Sequence, residues 1–267
     1  MRGNLPSWRT VGPAALSLVL LAACSSVTDN RATLDYGVIT LGTAGDGPAY
    51  STRPVAVFYR TSGVQLPTST ISRDSCAILP FSASPVISRD TLVYVNAGDS
   101  IAVTLGTSSG QLKPASQNGV QSYVLPGIGG LSYSPGDVAT FTVPGVATGF
   151  PAASISAKTS EAFVLGSVTT APAVGQGIPI TWTPAGDAAS KLQLSLEYAT
   201  VGSTVLDQQI ACALVDDGAA VIPAALVGGW RDAAGGLRHI DASRIRISHR
   251  DLGSAQLLVI SAFSVAR

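Results

Sequence analysis

Three observations predict an all-β protein. Helix formers are scarce, with two Glu and three Lys in 267 residues, while 28 Gly and 16 Pro break helices and favour turns. β-Branched and aromatic residues gather instead in short runs, separated by clusters of Gly, Pro, Asp and Asn. Where a run is long enough to show a period, the period is two: Leu192, Leu194, Leu196 and Tyr198 alternate with Gln193, Ser195 and Glu197. Sheets that bury one face each must stack on another layer, so the pattern predicts antiparallel β-sandwiches.

Taken in order, residues 55–59, 92–95, 101–105 and 138–143 are each apolar enough for a strand and bounded by turn formers such as Gly98-Asp99 and Gly136-Asp137. The run 144–151, Pro-Gly-Val-Ala-Thr-Gly-Phe-Pro, interrupts this rhythm, because proline cannot donate to a ladder and glycine weakens a strand. It predicts a boundary between a β-rich domain over 31–152 and a second over 153–267. In the second, strands are expected around 178–184, 192–198, 208–215, 245–248 and 257–265. Period two places Trp182, Leu194, Leu196, Ile245 and Ile247 in the core. It places Gln193, Glu197, Arg244 and Arg246 toward water. A tryptophan strand followed by the Cys212 strand is immunoglobulin-like, although the partner cysteine on a preceding strand of the domain is missing.

The first 26 residues stand apart. Arg2 and Arg9 precede the apolar run 14–21, which is too short to span a bilayer and ends in Leu21-Ala22-Ala23-Cys24. A basic start, a short apolar centre and small residues before the cut describe a secretory leader. The terminal tetrapeptide resembles the lipobox of bacterial lipoproteins. That resemblance implies removal of residues 1–23 and a diacylglycerol thioether on Cys24. Residues 24–30 are small and polar and read as a lipidated tether. Ser25, where Asp retains such proteins in the inner membrane, implies export to the outer membrane. The expected localisation is the bacterial cell envelope, lipid-anchored.

The progression from Gly98-Asp99 through Tyr133-Ser134-Pro135-Gly136-Asp137, Ile180-Thr181-Trp182-Thr183-Pro184 and Cys212-x3-Asp216-Asp217-Gly218-x3-Ile222-Pro223-Ala224 resembles a group of uncharacterised bacterial envelope lipoproteins with immunoglobulin-like β-sandwich modules. The resemblance brings no activity with it.

Beyond Cys24 the chain has two cysteines, Cys76 and Cys212. In an oxidising compartment they are candidates for a disulfide that would close a long loop. Two inert, buried thiols fit better, since Ala77-Ile78-Leu79 and Ala211, Ala213 and Leu214 offer apolar surroundings.

Catalytic patterns are weak. Gly106-Thr107-Ser108-Ser109-Gly110 matches the string of a hydrolase nucleophile elbow, but Gln111-Leu112-Lys113-Pro114 is a poor helix start, and a hairpin loop fits better. The two histidines, His239 and His249, lie far from any metal-binding motif, so no metal or cofactor is assigned. Asp216-Asp217 and Asp99 could offer oxygens to calcium, but lack the spacing of an EF-hand. They read more simply as turn residues.

One charge cluster stands out. Arg231, Arg238, Arg244, Arg246 and Arg250 lie with both histidines against Asp232 and Asp241. On a strand, Arg244, Arg246 and Arg250 share a face, either as a solvated outer surface or as a site for phosphate or carboxylate groups. Trp230 at its border would stack on a sugar or fill core. With 16 basic and 16 acidic residues overall, no global field favours nucleic acid.

The expected function is therefore that of a non-enzymatic envelope lipoprotein, structural, binding or adhesive. Its expected partners are the membrane, reached through the lipid anchor, and envelope polysaccharide or another envelope protein. The alternative is an envelope hydrolase or glycan-active enzyme, which would require histidine, aspartate and serine clustered in one pocket.

Overall fold

The computed structural model describes residues 34–44, 50–61, 74–81, 93–117, 119–186, 188–233 and 236–266. The lipobox, Cys24 and the tether lie outside them. In chain order the strands are β1 (Leu34–Ala44), β2 (Tyr50–Thr52), β3 (Val55–Thr61), β4 (Ser75–Pro80), β5 (Val93–Tyr94), β6 (Ile101–Leu105), β7 (Ser108–Gln117), β8 (Val120–Val124) and β9 (Leu131–Tyr133). They continue as β10 (Val138–Val143), β11 (Ala153–Lys158), β12 (Ile178–Thr181), β13 (Lys191–Tyr198), β14 (Gln208–Val215), β15 (Ala219–Ile222), β16 (Arg238–Asp251) and β17 (Ala255–Ala266). The helical elements lying wholly among the described residues are a 3-10 turn, Ala224–Leu226, and the single-turn α1, Gly228–Arg231. The protein is all-β, as its composition predicts.

One large sheet runs in the order β11-β10-β6-β7-β8-β3-β1-β17-β16-β13-β14-β4, and β5 also pairs with β3. Its ladders are antiparallel except one: β1 and β17 pair in parallel from Asp35 opposite Ala255 to Ala44 opposite Ser264. A wholly antiparallel arrangement was expected, and this pair corrects it. Period-two patterning reports which face is buried but carries no information on strand direction.

The sheet folds over on itself. The first half of β7 pairs with β6 and its second half with β8, so the strand passes from one layer to the other. One buried cluster accordingly draws Ile101, Val103, Phe141 and Ile155 from the β6, β10 and β11 layer and Ile39, Phe58, Leu257 and Val259 from the β1, β3 and β17 layer. In a flat sheet these would stand about 24 Å apart, at roughly 4.8 Å per strand. Gly37 makes room for the packing, since a Cβ there would lie 2.6 Å from the Phe58 ring.

A second cluster holds Leu192, Leu194, Leu196, Ile210, Cys212, Leu214, Ile240 and Ala242 from the other end of the sheet. It is covered by Ile178, Ile180 and Ile222 of the small β12-β15 sheet, with Phe163, Leu165, Trp182 and Trp230. β4, from the expected first domain, pairs along β14 at this end. β17, from the expected second, supplies Leu257 and Val259 to one core and Phe263 to the other. Where the cores meet, Ser160 donates from Oγ to the Ser261 carbonyl at 2.8 Å and from its backbone N–H to the Ser261 Oγ at 2.8 Å.

β13 follows the expected alternation through Leu192, Leu194 and Leu196, but β16 runs in the opposite phase. Its buried row is Ile240, Ala242 and Arg244, at 8%, 0% and 1% exposure, while Ile245 is half-buried and Ile247 is 53% exposed. Glu197 is buried instead of exposed, and Arg246 is half-buried. Both parities of β16 contain isoleucine, so hydrophobic alternation cannot choose between them; the long-range partner of Arg244 decides.

Candidate functional site

The arginine row is not a row. Arg244 points into the second core, where its guanidinium meets Asp216 at the end of β14: Nε to Oδ2 at 2.6 Å and Nη2 to Oδ1 at 2.8 Å. Nη2 also donates to the Thr183 carbonyl, and Nη1 to the carbonyls of Ala162 at 3.1 Å and Glu161 at 3.5 Å. All five N–H donors of the guanidinium are thereby used. The Trp182 indole N–H donates to Asp216 Oδ1 at 2.8 Å, and the Phe163 ring lies 5.0 Å below the cation. This is a closed node in which the charge is compensated on every side. It leaves nothing to bind an external anion or a calcium ion. Asp217, by contrast, caps its own turn, accepting the Ala219 N–H at 3.4 Å.

The other basic side chains are engaged individually. Arg246 donates to Ser190 Oγ at 3.3 Å, and Arg250 donates to the Ser154 carbonyl. Trp230 is fully buried, donates its indole N–H to the Thr169 carbonyl at 3.0 Å, and is covered by the Arg238 guanidinium at 5.6 Å. It fills core and offers no face to a sugar. The Gly106–Gly110 string forms the β6-β7 hairpin rather than a strand-to-helix elbow, and Ser108 Oγ donates to the Ser132 carbonyl.

Cys76 and Cys212 face each other in register on β4 and β14, their Cα atoms are 4.0 Å apart, and the sulfurs are bonded. The bond ties the edge strand, 136 residues earlier in the chain, to the second core.

A different cluster occupies the opposite face of the same strands. On β13 the residues between the buried leucines are Gln193, Ser195 and Glu197, and the β13-β16 register sets Glu197 directly across from His239 and Ser195 across from Asp241. Ligand-capable atoms of Glu197, His239 and Asp241 all lie within 4.8 Å of one another, and His239 Nε2 is 3.1 Å from Asp241 Oδ2. Glu197 is 7% exposed. Burial, and secondarily the Asp241 carboxylate, pushes its carboxyl above the usual range, against the opposing pull of His239 and the Ser195 hydroxyl. Ser195 Oγ donates to Gln209 Oε1 at 2.9 Å and lies 3.4 Å from Glu197 Oε1, while Gln209 Nε2 reaches the Pro80 carbonyl at 3.3 Å. Reading the sequence alone missed this group, because its members come from two strands far apart in the chain and match no linear motif. The one available signal was a carboxylate, one of only two glutamates in the chain, on the polar side of an alternating strand.

Elsewhere, Asn96, Asp99, Pro114, Gln121 and Tyr123 line an open depression of about 470 Å³ beside the Gly98-Asp99 turn. Its one charged group is Asp99. Tyr123 closes its floor by donating to the Gly98 carbonyl at 2.8 Å.

No family model matches the chain, and comparison with curated proteins finds no match.

Proposed function

We propose that the chain is a non-enzymatic lipoprotein of the cell envelope, a binding or structural module held at the outer membrane by diacylglycerol on Cys24, with two immunoglobulin-like β-sandwich units as its folded part. The observation that carries this reading is the Cys76–Cys212 bond. Disulfides persist in exported proteins and are rare where thiols are kept reduced, so the bond supports the address read from the leader. The first described strand begins at Leu34, a short polar stretch after Cys24, which suits a fold tethered close to a lipid surface. The partner in this reading is envelope polysaccharide or another envelope protein.

Binding is preferred to hydrolysis on a specific observation. Ser195, His239 and Asp241 share one face of the sheet, but the serine hydroxyl turns to Gln209 and makes no hydrogen bond to His239 among the described residues. The nucleophile-to-base contact of a hydrolase is not formed.

The test is Cys24→Ala in a bacterial host with metabolic acyl labelling. Wild type should incorporate the acyl chain, migrate at the mature size and enter the detergent phase. The variant should remain unlabelled and at precursor size. A Cys24→Ala protein that still matures and partitions with detergent overturns the proposal.

A further inference from the structure

Three carboxylates among the described residues are buried to the same degree: Asp35, Glu197 and Asp216, each 7% exposed. Two are neutralised by a two-point arginine pair, Asp35 by Arg60 at 2.6 and 2.9 Å and Asp216 by Arg244 at 2.6 and 2.8 Å. Glu197 has no such cation. Its one side-chain hydrogen-bonding neighbour among the described residues is the Ser195 hydroxyl at 3.4 Å, which also donates to Gln209 at the shorter distance of 2.9 Å. Within 4.8 Å of the Glu197 carboxylate stand the ligand-capable atoms of a second carboxylate, Asp241, and of an imidazole, His239. A buried carboxylate beside another carboxylate is costly unless a cation compensates it.

From this contrast we infer that Glu197, His239 and Asp241 form a binding site for a divalent transition-metal ion of the zinc class on the outer face of the β13-β16 ladder. One imidazole with two carboxylates is a donor set that zinc accepts, whereas calcium prefers six to eight oxygens. Around a tetrahedral ion with ligand bonds of about 2.0–2.2 Å, donors stand roughly 3.4 Å apart. The His239–Asp241 separation of 3.1 Å is already close to that, and a rotamer adjustment of Glu197 brings in the third ligand. The frame is rigid, since Glu197 and His239 are direct cross-strand neighbours and Asp241 follows His239 by one alternation on the same face. The Ser195 hydroxyl, fixed by its donation to Gln209 Oε1 at 2.9 Å, stands 3.4 Å behind the buried Glu197 Oε1. Half-exposed His239 and Asp241 leave the fourth position open to water, or to a carboxylate or phosphate of a partner. The site stands independently of the lipid anchor.

The experiment is zinc titration of the full-length, tag-free chain with its disulfide intact, in detergent at neutral pH, followed by calorimetry and metal analysis. One zinc per chain is expected, and calcium should not compete. Glu197→Gln, His239→Gln and Asp241→Asn should each weaken binding about tenfold or more. His249→Gln, which alters the chain's other histidine on an exposed stretch of β16, should leave binding unchanged. Should Glu197→Gln fail to fold, cobalt-loaded wild type serves instead, and intense visible bands of four-coordinate cobalt are expected. Three results overturn the inference: no saturable zinc binding by wild type, equal binding by the Glu197 and His239 variants, or a weak six-coordinate cobalt spectrum.

Discussion

Arg244 and Asp216 are joined by two hydrogen bonds of 2.6 and 2.8 Å, and each side chain is 1% exposed. They sit on β16 and at the end of β14, with β13 between them. The pair therefore spans the sheet that backs the second core. A buried pair of this kind adds less to net stability than its geometry suggests, but removing one partner strands a charge.

Arg244→Met should accordingly destabilise the fold by about 3–5 kcal/mol in urea unfolding, and Asp216→Leu comparably. The double variant should lose less than the sum, because no charge is left uncompensated. A loss under about 1 kcal/mol for Arg244→Met would return this residue to the surface role first expected of it.

Breaking the disulfide should matter as much. Replacing Cys76 and Cys212 together by alanine should lower stability by about 2–5 kcal/mol, with β4 the first element to lose amide protection in hydrogen exchange. Indistinguishable unfolding curves for the oxidised and reduced protein would contradict this.

Gly145 is held at φ +74° with its missing Cβ 2.2 Å from the Ala152 backbone nitrogen, where the chain bends from β10 toward β11. Gly127 is also left-handed, at φ +81°, but borders open space. Gly127→Ala should therefore cost about 1 kcal/mol for backbone conformation alone, whereas Gly145→Ala should cost several times more because backbone must move. Equal effects on thermal midpoint would remove the steric part of this account.

Asp207 accepts hydrogen bonds from the Thr200 hydroxyl at 2.7 Å and the Thr200 N–H at 2.9 Å, closing the loop between β13 and β14. The hydroxyl bond first, and the backbone bond second, hold its carboxyl below the usual aspartate range. A carboxyl depressed in the folded state stabilises the loop fully above its ordinary pKa and loses that contribution as pH falls through the lower folded value. In an NMR titration, Thr200→Val should move the Asp207 midpoint upward. A midpoint that stays in place would mean that the hydroxyl is not its cause.

Much of this architecture is legible in the chain. The Leu192–Leu196 alternation, the buried Trp182 and the near absence of helix follow from patterning, because each reflects a local choice between core and water. The arginine row failed for a physical reason. Arg244 is tolerated in a core only because Asp216, Trp182 and three backbone carbonyls arrive from distant segments, and no window of sequence contains them. The Glu197 cluster is hidden in the same way, since strand register rather than spacing places His239 opposite it. The pairing of Cys76 with Cys212 needed the edge position of β4, for which its short, half-exposed run gives little warning.

The parallel pairing of β1 with β17 carries a further consequence, for biogenesis. β1 leaves the ribosome long before β17, and between them they complete the first core on one side. Translation runs at about 5–20 residues per second, so the leading strand waits many seconds with an open edge and an unfilled apolar face. Such late closure slows folding and exposes nascent chains to edge-to-edge association. Premature termination anywhere before Ala255 would leave one edge of β1 unpaired and remove Leu257 and Val259 from the first core, making truncated products natural substrates for holding chaperones and proteases.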